Sequence, residues 1–120
     1  MAKSKHNLGL KEAIIEAIKQ KKGHDIVAID LTDNHQAVAD YYIICHGNSS
    51  SQVEAITDNI ERFARTETSE HPSHIEGQQN ALWVLMVFGI FAVYIHLRWK
   101  SFFLNPIDVF AFFFPNRKVF

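Results

Sequence analysis

Residues 39–53 read ADYYIICHGNSSSQV, and this stretch decides the fold. Its first half is rich in aromatic and β-branched side chains, so Val38 to Cys45 is predicted to be a buried strand that Gly47-Asn48 ends. Its second half begins a helix, for which Ser49, Ser50 and Ser51 offer N-caps, and Ser51 and Glu54 have the spacing of a capping box. The buried stripe of that helix is predicted to be Val53, Ile56, Ile60, Phe63 and Ala64.

The segment before this stretch predicts a first helix and a first strand. Gly23 is the natural stop of the helix. The run from Asp25 to Leu31, DIVAIDL, has the composition of a short buried strand, and the polar residues 32–36 form a loop. One face of the amphipathic helix is formed by Leu10, Ile14, Ala17 and Ile18.

The segment after it contains the most apolar part of the chain. His74 to Gly77 is predicted to be a brief edge strand. Gly89 interrupts an apolar run at a point where a tight hairpin can form between Leu82 to Phe88 and Ile90 to His96. A short helix is expected around Trp99 to Leu104.

These elements predict an α/β (α+β) fold, in which a mixed β-sheet is flanked by helices. With 120 residues and 48% apolar side chains, the chain is expected to form a single domain over 1–120, with a core of about 8–97 and a tail over 98–120. The net charge is −1, but of the 13 acidic residues only Asp108 follows Glu76. A single cysteine fits a reducing compartment, and we expect a cytoplasmic protein.

The residues allow several chemical interpretations. The loop from Gly47 to Ser51 has the position of a phosphate-binding loop but lacks the Walker lysine, so a capped helix start is favoured. His71, His74 and Glu76 are too few for a zinc site. Cys45 ends an apolar run, which favours a core residue over a nucleophile. We therefore predict no enzymatic activity, no cofactor and no metal.

The apolar run from Ala81 to Leu97 has a different interpretation as a membrane-spanning helix, with Trp83 and Trp99 as interfacial anchors and Arg98 and Lys100 on the cytoplasmic side. A span needs about 20 apolar residues, and this run is shorter. A small membrane-anchored protein is therefore the alternative, and no membrane association is the expectation.

Three parts of the chain resemble one known family. The stretch 39–53 is similar to the family segment ADYFVI-x-x-G-x-S-x-x-QV. Lys22 with residues 25–31 is similar to K-x-x-DIV-x-x-DL, and residues 74–85 are similar to H-x-EG…WVL. The order and spacing extend from about Leu10 to about Val93. The chain thus resembles the ribosomal silencing factor family, also called the Iojap-like or DUF143 family.

The resemblance implies a fold similar to that of nucleotidyltransferases but without their catalysis. It also implies a translational repressor that binds the large ribosomal subunit through its fourteenth ribosomal protein. Binding at the face that meets the small subunit blocks subunit joining when nutrients are scarce. The family further implies a possible homodimer off the ribosome, and no direct nucleic-acid specificity is expected.

The match weakens after Leu85. The family usually has Asp at the positions of Val87 and Ile90, and often His at that of Tyr94. Losing these acids removes charge complementarity to a basic partner. The residues expected to contact the ribosomal partner are Trp83, Leu85, Tyr94, Phe102 and Phe103.

Overall fold

The computed structural model of the chain describes residues 9–32, 39–79 and 82–97, together with the backbone of 118–119. Two helices and six strands occur in these ranges. The helices are α1 (Leu10–Gln20) and α2 (Ser50–Thr68). The strands are β1 (His24–Asp30), β2 (Tyr41–Gly47), β3 (His74–Glu76), β4 (Trp83–Phe88), β5 (Phe91–Leu97) and β6 (Lys118–Val119).

The strands form one mixed sheet in the order β3-β4-β5-β2-β1-β6. Among the described strands, only β2 and β5 are parallel, in a register that runs from Tyr41↔Phe91 to Gly47↔Leu97. The other neighbours are antiparallel. The predicted mixed sheet of an α+β protein is therefore confirmed, and β3 is the edge strand that the sequence indicates.

Both helices pack on one face of the sheet, which we call the helix face. The apolar stripe of α2 lies over alternate residues of the central strands, and α1 packs beside α2. Each fully buried Ile or Val here contributes about 1.5–3 kcal/mol by leaving water. The core residues of this face include Ile14, Ile18, Ile43, Cys45, Ile56, Ile60, Val84, Phe88, Val93 and Ile95.

The other residues of the same strands point to the opposite side, which we call the second face. Its centre is also apolar, because Ile29, Ile44 and Ala92 are buried there. Strands whose two faces are both apolar lose the simple alternation of a half-exposed sheet and appear as continuous apolar runs in a sequence. This accounts for the continuous apolar run from 82 to 95, which forms the hairpin of β4 and β5.

That hairpin contradicts the membrane alternative. The residues proposed as a spanning helix form β4 and β5, joined by a two-residue turn in which Gly89 has φ 56. This conformation suits glycine at the first central position of a type II′ turn. Among the described helices, none is both long and apolar enough to cross a membrane. The expected helix around Trp99 to Leu104 lies outside the described residues.

A hydrogen-bonded junction joins the end of α1 to the start of α2. After α1 the N–H groups of Lys22 and Gly23 donate to the carbonyls of Lys19 and Ile18, as in a Schellman motif. Lys22 takes the left-handed conformation, with φ 61, and its neighbour Gly23 allows close approach to Ile18.

Gln52 completes this junction. Its Nε2 donates to the carbonyl oxygens of Lys21 and Lys22, at 3.0 and 2.9 Å. Its Oε1 accepts from the N–H of Asn48 at 2.7 Å. One side chain thus satisfies three backbone groups from two loops, which explains why glutamine stands in the QV motif.

The predicted capping box at Ser51 is wrong. The N-cap of α2 is Ser49, whose Oγ accepts from the N–H of Gln52 at 3.1 Å. Three consecutive serines have the same capping ability, so the pattern does not distinguish them. The register is set instead by Gln52, which has to reach the end of α1.

We predict that Ser49→Ala lowers the free energy of unfolding by about 1 kcal/mol, because it removes the acceptor of a helix N-cap. Ser51→Ala is the matched control, and we expect a change within about 0.5 kcal/mol for this exposed position. Urea unfolding followed by circular dichroism measures both. Equal losses in the two variants would contradict the assignment of the cap.

Candidate functional site

Three of the five residues expected to contact the partner lie together on the second face. Leu85 in β4 and Tyr94 in β5 are direct register partners. The rings of Trp83 and Tyr94 stack, with centroids 6.5 Å apart and planes at 21°. All three side chains are partly buried. The other two, Phe102 and Phe103, lie outside the described residues.

Gly77 holds the indole of Trp83 in place. It has φ 88, and a Cβ at this position would lie 2.3 Å from the carbonyl oxygen of Trp83 and 2.8 Å from its Cε3. No other residue tolerates both the conformation and the close approach. The motif H-x-EG…W therefore has a physical basis: glycine ends the edge strand and supports the tryptophan of the next strand.

Two clefts lie beside the loop after β3, and Gln78 lines both. The first, of about 440 Å³, is lined by Trp83. The second, of about 240 Å³, opens towards α2 on the helix face, where Val84 lines it. Glu76 is the carboxylate that lines the cleft beside Trp83, whereas Glu54 and Asp58 line the second cleft. The first cleft is lined by Ile75, Glu76, Gly77, Gln78, Gln79 and Trp83.

A row of histidines extends the aromatic pair across the sheet. The ring of His96 stacks on Tyr94 at 5.8 Å, and the Tyr94 hydroxyl lies 3.3 Å from Nδ1 of His96. His96 is the register partner of His46, and His46 is that of His24. Burial, followed by repulsion from His46, lowers the pKa of His96. Burial raises the pKa of Tyr94.

The sequence analysis did not predict this row. The two-residue period of a strand could have indicated part of it, because His46 and His96 each follow a second-face residue, Ile44 or Tyr94, by two positions. Among the described residues, no three or more His, Cys, Asp or Glu side chains form a group able to hold a metal ion. His74 and Glu76 instead form an exposed pair at 2.6 Å.

The structure also bears on the predicted roles of Cys45 and of the loop after β2. Cys45 is buried on the helix face, and burial raises the pKa of its thiol to about 12, so the nucleophilic thiolate is disfavoured at neutral pH. In the loop after β2, the N–H groups of Asn48 and Gln52 donate to side chains of the same loop and helix. The loop is therefore a capped helix start, as favoured from the sequence.

These features define a class of protein: an α+β domain with both described helices on one sheet face and an aromatic, partly exposed side-chain group on the other. The chain belongs to the ribosomal silencing factor family. The family model "Ribosomal silencing factor during starvation" matches residues 4–100. The family name connects the chain with the ribosome and with the regulation of translation rather than with catalysis.

Individual relatives agree with this assignment. The ribosomal silencing factor RsfS of Halalkalibacterium halodurans is 33% identical over 74% of this chain and 74% of its own length. That of Bacillus subtilis is 39% identical over 66% of this chain and 65% of its own length. The factor of Haemophilus influenzae is 33% identical over 76% and 87%.

Two solved structures are similar to most of the chain. A crystal structure from Bacillus halodurans matches with a TM-score of 0.66 and 30% identity, covering 73% of this chain and 80% of that chain. One from Chromobacterium violaceum has a TM-score of 0.68 and 26% identity, covering 73% and 72%.

We predict that Gly77→Ala displaces the Trp83 ring, whereas Gly89→Ala leaves it in place. Both glycines have positive φ, so both variants lose about 1–2 kcal/mol from backbone strain. Only Gly77 meets Trp83, because no atom lies within 4 Å of a Cβ at Gly89. The indole N–H signal of Trp83 in a ¹H–¹⁵N spectrum measures the displacement. The role given to Gly77 is wrong if both variants leave this signal unchanged.

Proposed function

We propose that this protein represses translation by binding the large ribosomal subunit through the second face around Trp83. The observation that carries the proposal is the fixed position of Trp83, between Gly77 and the ring of Tyr94. Tryptophan and tyrosine held in a rigid, partly exposed position are the residues most enriched among interface hot spots. Leu85 adds an apolar contact beside them on the same face.

Steric exclusion is the proposed mechanism. A domain seated on the joining surface of the large subunit occupies the volume that the small subunit needs. No bond is made or broken, so the protein requires only an interface that is stable enough to compete with subunit joining. The proposal therefore needs no cofactor, and it places the protein in the cytoplasm, where ribosomes assemble. Off the ribosome, a homodimer is the proposed storage form.

The charge beside Trp83 supports a basic protein as the partner, and we take the fourteenth protein of the large subunit to be this partner. At the positions where the resemblance leads to an expectation of hairpin acids, this chain has Val87 and Ile90, and Ile90 is 53% exposed. Glu76 lines the cleft beside Trp83 and is the register partner of Leu85 on the second face. This carboxylate from β3 thus provides complementarity that the hairpin lacks.

Trp83→Ala should weaken binding to isolated large subunits at least about 10-fold, because truncating an aromatic anchor commonly costs more than 1 kcal/mol. Co-sedimentation on sucrose gradients measures the bound fraction, with isolated small subunits as the negative control. Leu82→Ala is the matched variant: Leu82 is an exposed apolar residue next in sequence, and it does not line either cleft. Equal binding by wild type and Trp83→Ala would contradict the proposed interface.

Glu76→Gln should reduce the salt dependence of binding, since interface charges act mainly on association and its response to ionic strength. Glu12→Gln is the control, because it removes the same charge from α1. Association rates at low and high salt measure the difference. If both variants change the salt dependence equally, only net charge matters and the cleft beside Trp83 has no special role.

A further inference from the structure

Three histidines meet at one end of the second face, and we call them the histidine row: His24 in β1, His46 in β2 and His96 in β5. The rings of His24 and His46 stack with centroids 5.2 Å apart. His46 and His96 are register partners in neighbouring parallel strands. Since adjacent strands are about 4.8 Å apart, a charge on one imidazole acts strongly on the next.

A strained residue directs a carboxylate at the middle of this row. The register of β1 shifts between His24 and Val27, and Asp25 within this bulge has φ 52. The left-handed conformation is costly for a residue other than glycine, and bulges redirect side chains. Oδ2 of Asp25 lies 3.5 Å from Nδ1 of His46. The Asp25 side chain is 76% exposed and that of His46 is 13% exposed, so an exposed carboxylate lies against an enclosed imidazole.

His96 connects the row to the proposed partner-binding residues. Within the described ranges it is faced by His46 from β2, by Trp83 from β4 and by Tyr94 on its own strand. Tyr94 in turn stacks on Trp83. A proton on His46 opposes a second proton on His96, because the two charges then lie side by side in a partly buried setting. The ring of Tyr94 therefore contacts both His96 and Trp83, so a displacement of His96 changes the packing of Trp83 through Tyr94.

We propose that the histidine row makes the partner-binding face sensitive to pH, so that acid loosens the His96–Tyr94–Trp83 stack and weakens binding. This inference rests on the proposed function, because it assigns a control to the same face. The groups that set the response are the three imidazoles, the Asp25 carboxylate and the Tyr94 hydroxyl. Asn48, whose Nδ2 lies 3.0 Å from Nε2 of His24, completes the polar surroundings of the row.

Proton linkage gives the direction of the effect. A histidine in the unfolded chain titrates near pH 6.5, and the pKa of His96 in the folded chain is lower. Between these values a loosened or unfolded form holds more protons than the folded form, so a fall in pH favours it. The face is therefore intact above about pH 6.5 and weakens progressively below it.

The test compares binding of the full chain to isolated large ribosomal subunits at about pH 7.5 and about pH 6.0, on either side of the ordinary histidine pKa. The variants are His96→Phe, which keeps a ring but cannot titrate, and His71→Gln, which removes an exposed histidine outside the row. A second measurement follows the His96 ring and Trp83 indole signals by NMR through the same pH range, without ribosomes.

For wild type and His71→Gln, we expect the dissociation constant to rise about 3- to 10-fold at the lower pH, as for a shift of up to one pKa unit. For His96→Phe, we expect a change of less than about 2-fold, and the Trp83 signal of wild type should follow the titration of His96. Wild-type binding that is equal at both pH values overturns the inference, and so does a full pH response in His96→Phe.

Absence of binding at both pH values would instead overturn the proposed function. The NMR titration then decides the inference alone. A Trp83 signal that follows His96 supports the histidine row as a control of this face, and a Trp83 signal that stays flat through the titration of His96 contradicts it.

Discussion

The parallel pairing of β2 with β5 is the constraint on which the rest of the structure depends. Seven consecutive register pairs, from Tyr41↔Phe91 to Gly47↔Leu97, join segments fifty residues apart. Parallel neighbours cannot be joined by a tight turn, so the chain has to cross from one end of the sheet to the other. The long helix α2 makes this crossing, and its apolar stripe covers the helix face. The antiparallel β3 and β4 then fill the edge before β5 returns.

This arrangement divides the strands into two chemically different faces. The helix face is filled mainly by aliphatic side chains, together with Cys45, Met86 and Phe88, and its role is packing. The second face carries the aromatic and imidazole side chains at the end where Trp83, Tyr94 and His96 meet. Because strands are stiffer than loops, a side chain that projects from the sheet keeps a defined position. An interface that acts by excluding another body requires this rigidity.

The turn of the β4–β5 hairpin depends on its glycine. Gly89 supplies the positive φ that the turn requires, so Val87 and Ile90 affect the chemistry of the surface more than the shape of the turn. Charge beside Trp83 comes from the neighbouring strand, where Glu76 lines the first cleft. The same face also gains titratable groups from β1, β2 and β5.

The sequence predicted the elements well, because each depends on local periodicity. Both described helices, the strands of residues 24–30, 41–47 and 74–76, and the hairpin at Gly89 follow the predicted order, with the bounds of the strands shifted by at most three residues. The resemblance also identified the family. The sequence offered Ser49 among three candidate N-caps without selecting it, because adjacent serines are chemically equivalent and only the reach of Gln52 to Lys21 and Lys22 distinguishes them.

The common face of three residues expected at the interface could be predicted for a related reason. Trp83, Leu85 and Tyr94 alternate along two strands of one hairpin, so their common face follows from the two-residue period and the turn alone. The sequence by itself thus determined the helices, the strands, the hairpin and the aromatic group on it. Only the tertiary structure decided that His24, His46 and His96 stand side by side, because long-range strand pairing depends on backbone hydrogen bonds and packing rather than on neighbouring residues.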